Sequence, residues 1–339
     1  MIPDDVPSFM KAMLGCTTLE SARDFADEVM AVREPEKRNR MLLNGTQSNP
    51  MFVPHMKEQA PQLQASQWLN AVALARMTAA NATHDRIIVS APMKTGSTFI
   101  ADILSRGLGL PKVSLTVMTV QPYYFVLLGA GGRAHEVDEL ALITACLNGR
   151  GFVAHHHMHA TPYLARLAKL YGIKFALVKR NLFDCMVSLE DFVLEGVQDP
   201  AREFDTVLRN FLPLNWGAMD EETRIGHLLD RYLPFYIQYY TSWRMLESRG
   251  EVEPIWLSYE EDLLGGSDVL ASKIAHGLGR DAGTADKITA QLTRGDALQN
   301  VNFNKGVKGR GARITGRNRL RVLDMVEQLR GVVDLTDLI

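Results

Sequence analysis

Apolar and polar positions along the chain switch repeatedly between a strand pattern and a helix pattern, and the switching predicts an α/β protein. Residues 87–90, Ile-Ile-Val-Ser, form a short β-branched run of the kind a strand buried on both faces carries. Directly after a compact loop the period changes. Phe99, Ile100, Ile103, Leu104 and Leu108 recur at helical spacing and give one apolar side. Gly107, Gly109 and Pro111 end that helix. The exchange then repeats: residues 113–117 predict a second strand, 136–147 a helix, and 151–159 a strand running into a loop. A helix opened by Thr161-Pro162 follows, with Pro162 at its first position. Residues 174–179 predict another strand, 184–194 a helix and 254–259 a further strand. A long, mostly helical segment at 199–250 precedes that strand, and helices at 269–278, 284–292 and 317–329 complete the list. Strand and helix in alternation imply a mostly parallel central sheet with helices on both faces.

The first 85 residues show helical patterning without evident chemistry. Thr17 with Glu20 three positions on predicts a capping box for a helix reaching residue 32. Residues 62–80 place Leu63, Trp68, Leu69, Val72 and Leu74 at roughly helical spacing. No internal repeat or low-complexity linker interrupts the chain. The expectation is a single domain over 1–339, with 1–85 as a helical extension packed on it, acting as a cover, a lid or a dimer arm.

Composition narrows the class. The 339 residues are 46% apolar and 22% charged, which fits a soluble globular protein with a sizeable core. A net charge of -2 makes no electrostatic case for nucleic acid or an anionic membrane. Cys16, Cys146 and Cys185 are far apart and form no CxxC pair, which fits a reducing compartment. Asp4 and Asp5 stand where a signal peptide would be basic, and the apolar run from Tyr123 to Ala130 is too short to span a bilayer. These observations predict a cytoplasmic protein.

The chemistry gathers at predicted strand ends. Pro92-Met-Lys-Thr-Gly-Ser-Thr-Phe99 joins the first strand to its helix, where loop amides, a helix start and Lys94 can hold an anion. A Walker A loop reads GxxxxGK(S/T). Here Lys94 precedes Gly96 by two residues and no earlier glycine lies in the loop, which weighs against magnesium-ATP. His155, His157 and His159 share one face of a predicted strand and His156 the other. Such a tract can bind metal, but no cysteine or carboxylate is spaced to complete a site. Arg180, at the end of the 174–179 strand, is a charged fork suited to a phosphate, or an ion-pair partner for Asp184 or Asp191. In open parallel sheets ligands bind beyond the carboxyl ends of strands, so Lys94, His157 and Arg180 can converge.

Three separated motifs resemble those of the sulfotransferases that use 3′-phosphoadenosine 5′-phosphosulfate (PAPS). Residues 92–99 look like that family's 5′-phosphosulfate loop, PKxGTTW. Val178-Lys-Arg-Asn-Leu-Phe-Asp-Cys-Met-Val-Ser188 looks like its 3′-phosphate motif, with Arg180 and Ser188 eight apart. Asn304-Lys-Gly-Val-Lys-Gly309 looks like its RKGxxG loop, with Asn304 in place of the usual arginine. The resemblance covers residues 86 to about 315 and implies a P-loop-NTPase-like sulfotransferase fold. It implies PAPS contacts from Lys94, Thr95, Gly96, Ser97, Thr98, Phe99, Arg180, Ser188, Asn304, Lys305 and Gly306. It implies His157 as general base, Lys94 at the leaving phosphate and a hydroxyl-bearing small-molecule acceptor, with no metal required. His155 falls where relatives often carry lysine. The Tyr259-Glu260 pair is common in the family and reads as structural or acceptor-side, and the aromatic stretch from Phe204 to Trp243 as an acceptor wall. The family's KxxxTVxxxE dimerisation motif has no convincing copy here, which leaves a homodimer open. A P-loop kinase using magnesium-ATP and a noncatalytic nucleotide-binding protein are the competing readings.

Overall fold

The computed structural model describes residues 2–3, 6–35, 37–38, 41–42, 45, 49, 51–52, 54–55, 65–116, 135–198, 212–213, 215–293 and 306–339. The apolar run from Tyr123 to Ala130, Phe204, Phe211, Asn304 and Lys305 lie outside the described residues. The chain divides into two compact units, Met1–Leu74 with Val117–Val126 and Ala75–Thr116 with Leu127–Ile339.

In the first unit, helices α1 (Val6–Leu14) and α2 (Leu19–Met30) pack Phe9, Met13, Ala26 and Val29 with Met41 and Phe52. The Phe9, Phe25 and Phe52 rings meet with centroids 5.5 to 6.2 Å apart. The cap of α2 is shifted by one residue from the expected Thr17 and Glu20. Thr18 accepts from the Ser21 amide at 3.1 Å, and the Ser21 hydroxyl in turn accepts from the Thr18 amide. A hydroxyl therefore closes the box in place of a carboxylate. Helix α3 spans Ala65–Asn81.

The second unit is built on five parallel strands: β1 (Arg86–Ser90), β2 (Lys112–Val113), β3 (Phe152–His156), β4 (Lys174–Lys179) and β5 (Ile255–Ser258), in the order β2-β3-β1-β4-β5. Helices α4 (Ser97–Leu108), α5 (Glu139–Cys146), α6 (Pro162–Tyr171), α7 (Leu182–Gln198), α8 (Glu221–Ser248), α9 (Ser267–Gly277), α10 (Ala282–Leu292) and α11 (Gly316–Leu329) surround it. The α/β class with a parallel sheet is as expected. Local boundaries differ for stated reasons. Helix α5 starts later than 136 because the Asp138 carboxylate caps it, accepting from the Ala141 amide at 2.9 Å. The chain after β5 forms a π-helical turn, Tyr259–Leu263, before Gly266 and α9.

Both sheet faces are covered. On one face Ile87, Val89, Val153, Ala176, Val178, Ile255 and Leu257 pack against Phe99, Ile100, Ile103, Leu104, Leu270, Ile274 and Ile288 of α4, α9 and α10. On the other, Trp243 of α8 meets Phe175 of β4 at 4.7 Å between centroids. Each fully buried side chain of this size contributes about 1.5–3 kcal/mol by leaving water. Among the described residues, no helix is long and apolar enough to cross a membrane.

Strand β1 is flanked by β3 on one side and β4 on the other. The connection leaving β1 runs toward β2 and that leaving β4 runs toward β5. Their departure in opposite directions opens a crevice between the carboxyl ends of β1 and β4, the position where parallel sheets of this kind hold ligands.

Candidate functional site

The loop between β1 and α4 is shaped by two left-handed residues. Lys94 has φ 62° and Gly96 φ 83°. A left-handed lysine costs about 1–2 kcal/mol, so its surroundings must hold it there. They do so through the loop carbonyls. Ala91 accepts from His157 Nδ1 at 2.5 Å, Pro92 from the Thr95 hydroxyl at 2.9 Å, Met93 from the Tyr236 hydroxyl at 2.6 Å, and Lys94 from Arg180 Nη1 at 2.7 Å. Four successive carbonyls are thus taken by side-chain donors, the Thr95 hydroxyl from within the loop and the others from distant elements. The first amides of α4, which have no carbonyl partner within the helix, follow directly after this loop. Gly96 is required by contact as well as by φ: a Cβ there would lie 2.9 Å from Leu263 Cδ2 and 3.2 Å from Tyr259 Cδ2. The Lys94 ammonium sits 4.4 Å from the centroid of the Phe192 ring on α7.

Two histidines bond to the loop and the helix start, His157 and His155, and three more lie near them. His157 is buried just past the end of β3. A carbonyl only accepts, so the bond to Ala91 places the proton on Nδ1 and keeps the lone pair on Nε2. Burial lowers the His157 pKa, with the Ala91 bond acting in the other direction. The ring is neutral at neutral pH, as a base must be. His135 fixes the backbone on which it stands: the His157 amide donates to His135 Nδ1 at 3.0 Å, and the His135 amide donates to the His157 carbonyl at 2.7 Å. His155 lies with Nε2 2.9 Å from the Ser97 hydroxyl and its ring 5.2 Å from that of His157. Burial first, then the neighbouring histidines, push its pKa well below the ordinary value. His156, on the opposite face of β3, accepts from the Leu115 amide at 3.0 Å, and burial lowers its pKa to about 3. His159 leaves the shared face and lies 4.8 Å from the Phe235 ring of α8. Among the described residues, no three His, Cys, Asp or Glu side chains form a group able to hold a metal ion.

Arg180 is 4% exposed, and its guanidinium carbon lies 3.9 Å above the centre of the Tyr259 ring. Its Nε is buried without a hydrogen-bond partner. Both carboxylates considered above have other partners. Asp184 accepts from the Gly309 amide at 2.7 Å and the Gly311 amide at 2.5 Å, and Asp191 pairs with Arg310. Ser188 is fully buried one helical turn after Asp184. Tyr259 lies against both Arg180 and Gly96.

Of the expected site residues, Lys94, Thr95, Gly96, Ser97, His157 and Arg180 are joined through the β1–α4 loop. The Thr95 hydroxyl is used inside that loop. Thr98 is exposed, and Phe99 is buried in the sheet core. Gly306 has φ 63° and stands a few residues before the amides held by Asp184. The patterning did not single out His135, Tyr236 or the carboxylate of Asp184 as parts of this arrangement. A lone histidine and a tyrosine among many aromatics carry no spacing signal; only the Asp184 position, inside the 180–188 motif, offered one.

No protein-family model matches the chain, and no curated protein matches it. Among solved structures, it is similar to mouse sulfotransferase SULT7A1 complexed with PAP, at 16% identity over 76% of this chain and 90% of that one, with a TM-score of 0.43.

Proposed function

We propose that the protein is a sulfotransferase that moves a sulfuryl group from PAPS to the hydroxyl of a small-molecule acceptor. One observation carries the reading: the four successive carbonyls of Ala91, Pro92, Met93 and Lys94 are all taken by side-chain donors, so the loop offers amides and the Lys94 charge to one place. Such a place fits an anion and repels a cation. The residues present also fit a second anionic group, because Arg180 is buried with an unpartnered Nε.

The assignments follow from chemistry. PAPS, when bound, supplies the sulfuryl group. Lys94, Thr95, Gly96, Ser97 and Thr98 would hold its 5′ end, and Arg180 and Ser188, with Asn304, Lys305 and Gly306, its 3′-phosphate. Phe99 acts from the core as part of the wall behind the loop. The His157 Nε2 lone pair accepts the proton of the acceptor hydroxyl as that oxygen bonds to sulfur. The Lys94 ammonium stabilises the negative charge left on the phosphate oxygen as its bond to sulfur breaks. His155, neutral and bonded to Ser97, holds the helix start beside them. The expected cytoplasmic location suits a supply of this nucleotide.

The test is incubation with PAPS and a pooled library of phenols and alcohols, followed by mass spectrometry. The expected result is an acceptor heavier by one SO3 group, together with thermal stabilisation by adenosine 3′,5′-bisphosphate but not by ATP. Absence of both overturns the reading.

A further inference from the structure

We infer that Asp184 is a positioning residue for the 3′-phosphate end of the nucleotide, acting by docking the C-terminal glycine loop onto α7. The inference rests on the function proposed above. Its basis is a two-handed contact. The Asp184 carboxylate accepts from the Gly309 amide through Oδ2 at 2.7 Å and from the Gly311 amide through Oδ1 at 2.5 Å. The side chain is 2% exposed and its bond to the Gly311 amide is buried, where a charge-assisted bond is strong and an uncompensated carboxylate expensive. The carboxylate thus takes the two amides that an anionic ligand would otherwise find, and turns the loop from a ligand into a fixed support.

Two further contacts hold the same loop at the same place. Gly311 lies so close to α7 that a Cβ would stand 2.3 Å from Phe183 Cβ and 2.8 Å from the Phe183 carbonyl carbon. Arg310 pairs with Asp191, two turns along α7 from Asp184. Gly309, at φ 82°, starts the short helical turn Arg310–Arg313. The chain entering that turn is the stretch 306–308, including Gly306 at φ 63° and the exposed Lys308. Asp184 lies one turn from Ser188 and four residues from Arg180, so the support and the phosphate contacts belong to one short segment of α7 and its entry. A cation in the stretch 306–308 is therefore held at a set reach from Arg180 and Ser188. Without the carboxylate, the buried Gly311 amide loses its partner and the exposed Gly309 amide loses its anchor to α7.

The test compares wild type, Asp184→Asn and Gly311→Ala by calorimetric titration with adenosine 3′,5′-bisphosphate and with adenosine 5′-monophosphate. Amide hydrogen exchange of peptides covering 306–316 is followed in parallel. Asparagine keeps the shape but turns an NH2 group toward one of the two amides. Alanine at 311 displaces the loop from the other side and leaves the carboxylate intact, so it answers the question if Asp184→Asn does not fold. Expected in either variant are faster exchange over 306–316 and a loss of about tenfold or more in bisphosphate affinity. Monophosphate affinity stays unchanged. Variants that keep the wild-type preference for the bisphosphate overturn the inference and leave the proposed function standing. A wild type with no such preference removes the 3′-phosphate site itself, and both fall.

Discussion

Arg180 donates to the backbone carbonyl of Lys94 across the crevice between β4 and β1, Nη1 to oxygen 2.7 Å. The residue proposed for one end of the nucleotide is thereby bonded to the loop proposed for the other. The two ends are one hydrogen-bonded piece, and the Tyr259 ring lies under both, beneath the Arg180 guanidinium and against Gly96. A change at Arg180 is expected to reach the Lys94 loop as well as the ligand.

Arg180→Lys keeps the charge and removes the planar fork, the stacking on Tyr259 and the bond to Lys94. Affinity for adenosine 3′,5′-bisphosphate is expected to fall by about tenfold or more. Affinity for adenosine 5′-monophosphate is also expected to fall, by less, because the Lys94 carbonyl loses its donor. Calorimetric titration with the two nucleotides reads both losses; a monophosphate affinity equal to wild type would show the loop to be independent of Arg180.

His157→Gln removes the proposed base and preserves a side-chain donor for the Ala91 carbonyl. Turnover is expected to drop by about a hundredfold or more, the usual range for losing a positioned base, with bisphosphate binding unchanged. In wild type, burial lowers the His157 pKa, so activity is expected to persist below the ordinary histidine value of about 6.5 before its acid limb begins. Steady-state rates of sulfation across pH measure both effects.

Folding stability should decline on acidification before carboxylates titrate. Burial lowers the pKa values of His155, His156, His157 and His159 in the folded state, that of His156 to about 3. The unfolded chain takes up these protons near pH 6.5 and the folded chain does not. Their contribution is complete above about pH 6.5 and is lost as pH falls, through about pH 3 for His156. Thermal unfolding followed by circular dichroism should show Tm falling from about pH 7 to about pH 5. A Tm that stays level over that interval would place these rings in water.

Tyr236→Phe removes the hydroxyl that donates to the Met93 carbonyl at 2.6 Å. Tyr236 is fully buried, so the carbonyl loses its donor where water does not replace it. The expected cost is about 1–3 kcal/mol in urea denaturation. Nucleotide affinity should weaken as well, since a carbonyl released from its donor lets the loop turn back toward the crevice.

Much of the fold is legible in the alternating apolar patterns. The run 87–90, the helical spacing from Phe99 to Leu108 and the 174–179 run each read correctly as elements, because period and composition report which sides of an element are buried. Local caps are legible in kind but not in register. The α2 cap fell on Thr18 with Ser21 instead of Thr17 with Glu20, since adjacent threonines offer the same hydroxyl and only the backbone path chooses between them. The positive φ at Lys94 and Gly96 is legible only in part, since glycine announces such a backbone and lysine does not.

By itself, then, the sequence determined the strand–loop–helix unit around Lys94, the α/β class and the placement of His157 and Arg180 at strand ends. Tertiary structure alone decided the strand order β2-β3-β1-β4-β5 and the crevice it opens between β1 and β4. It also decided the partners of the loop: His157 for Ala91, Tyr236 for Met93 and Arg180 for Lys94, at separations of 66, 143 and 86 residues. It gave Asp184 to the Gly309 and Gly311 amides rather than to Arg180. The physical reason is common to all of these. Periodicity records that a group is buried, whereas the donor that satisfies it depends on which distant elements the folded sheet brings beside it.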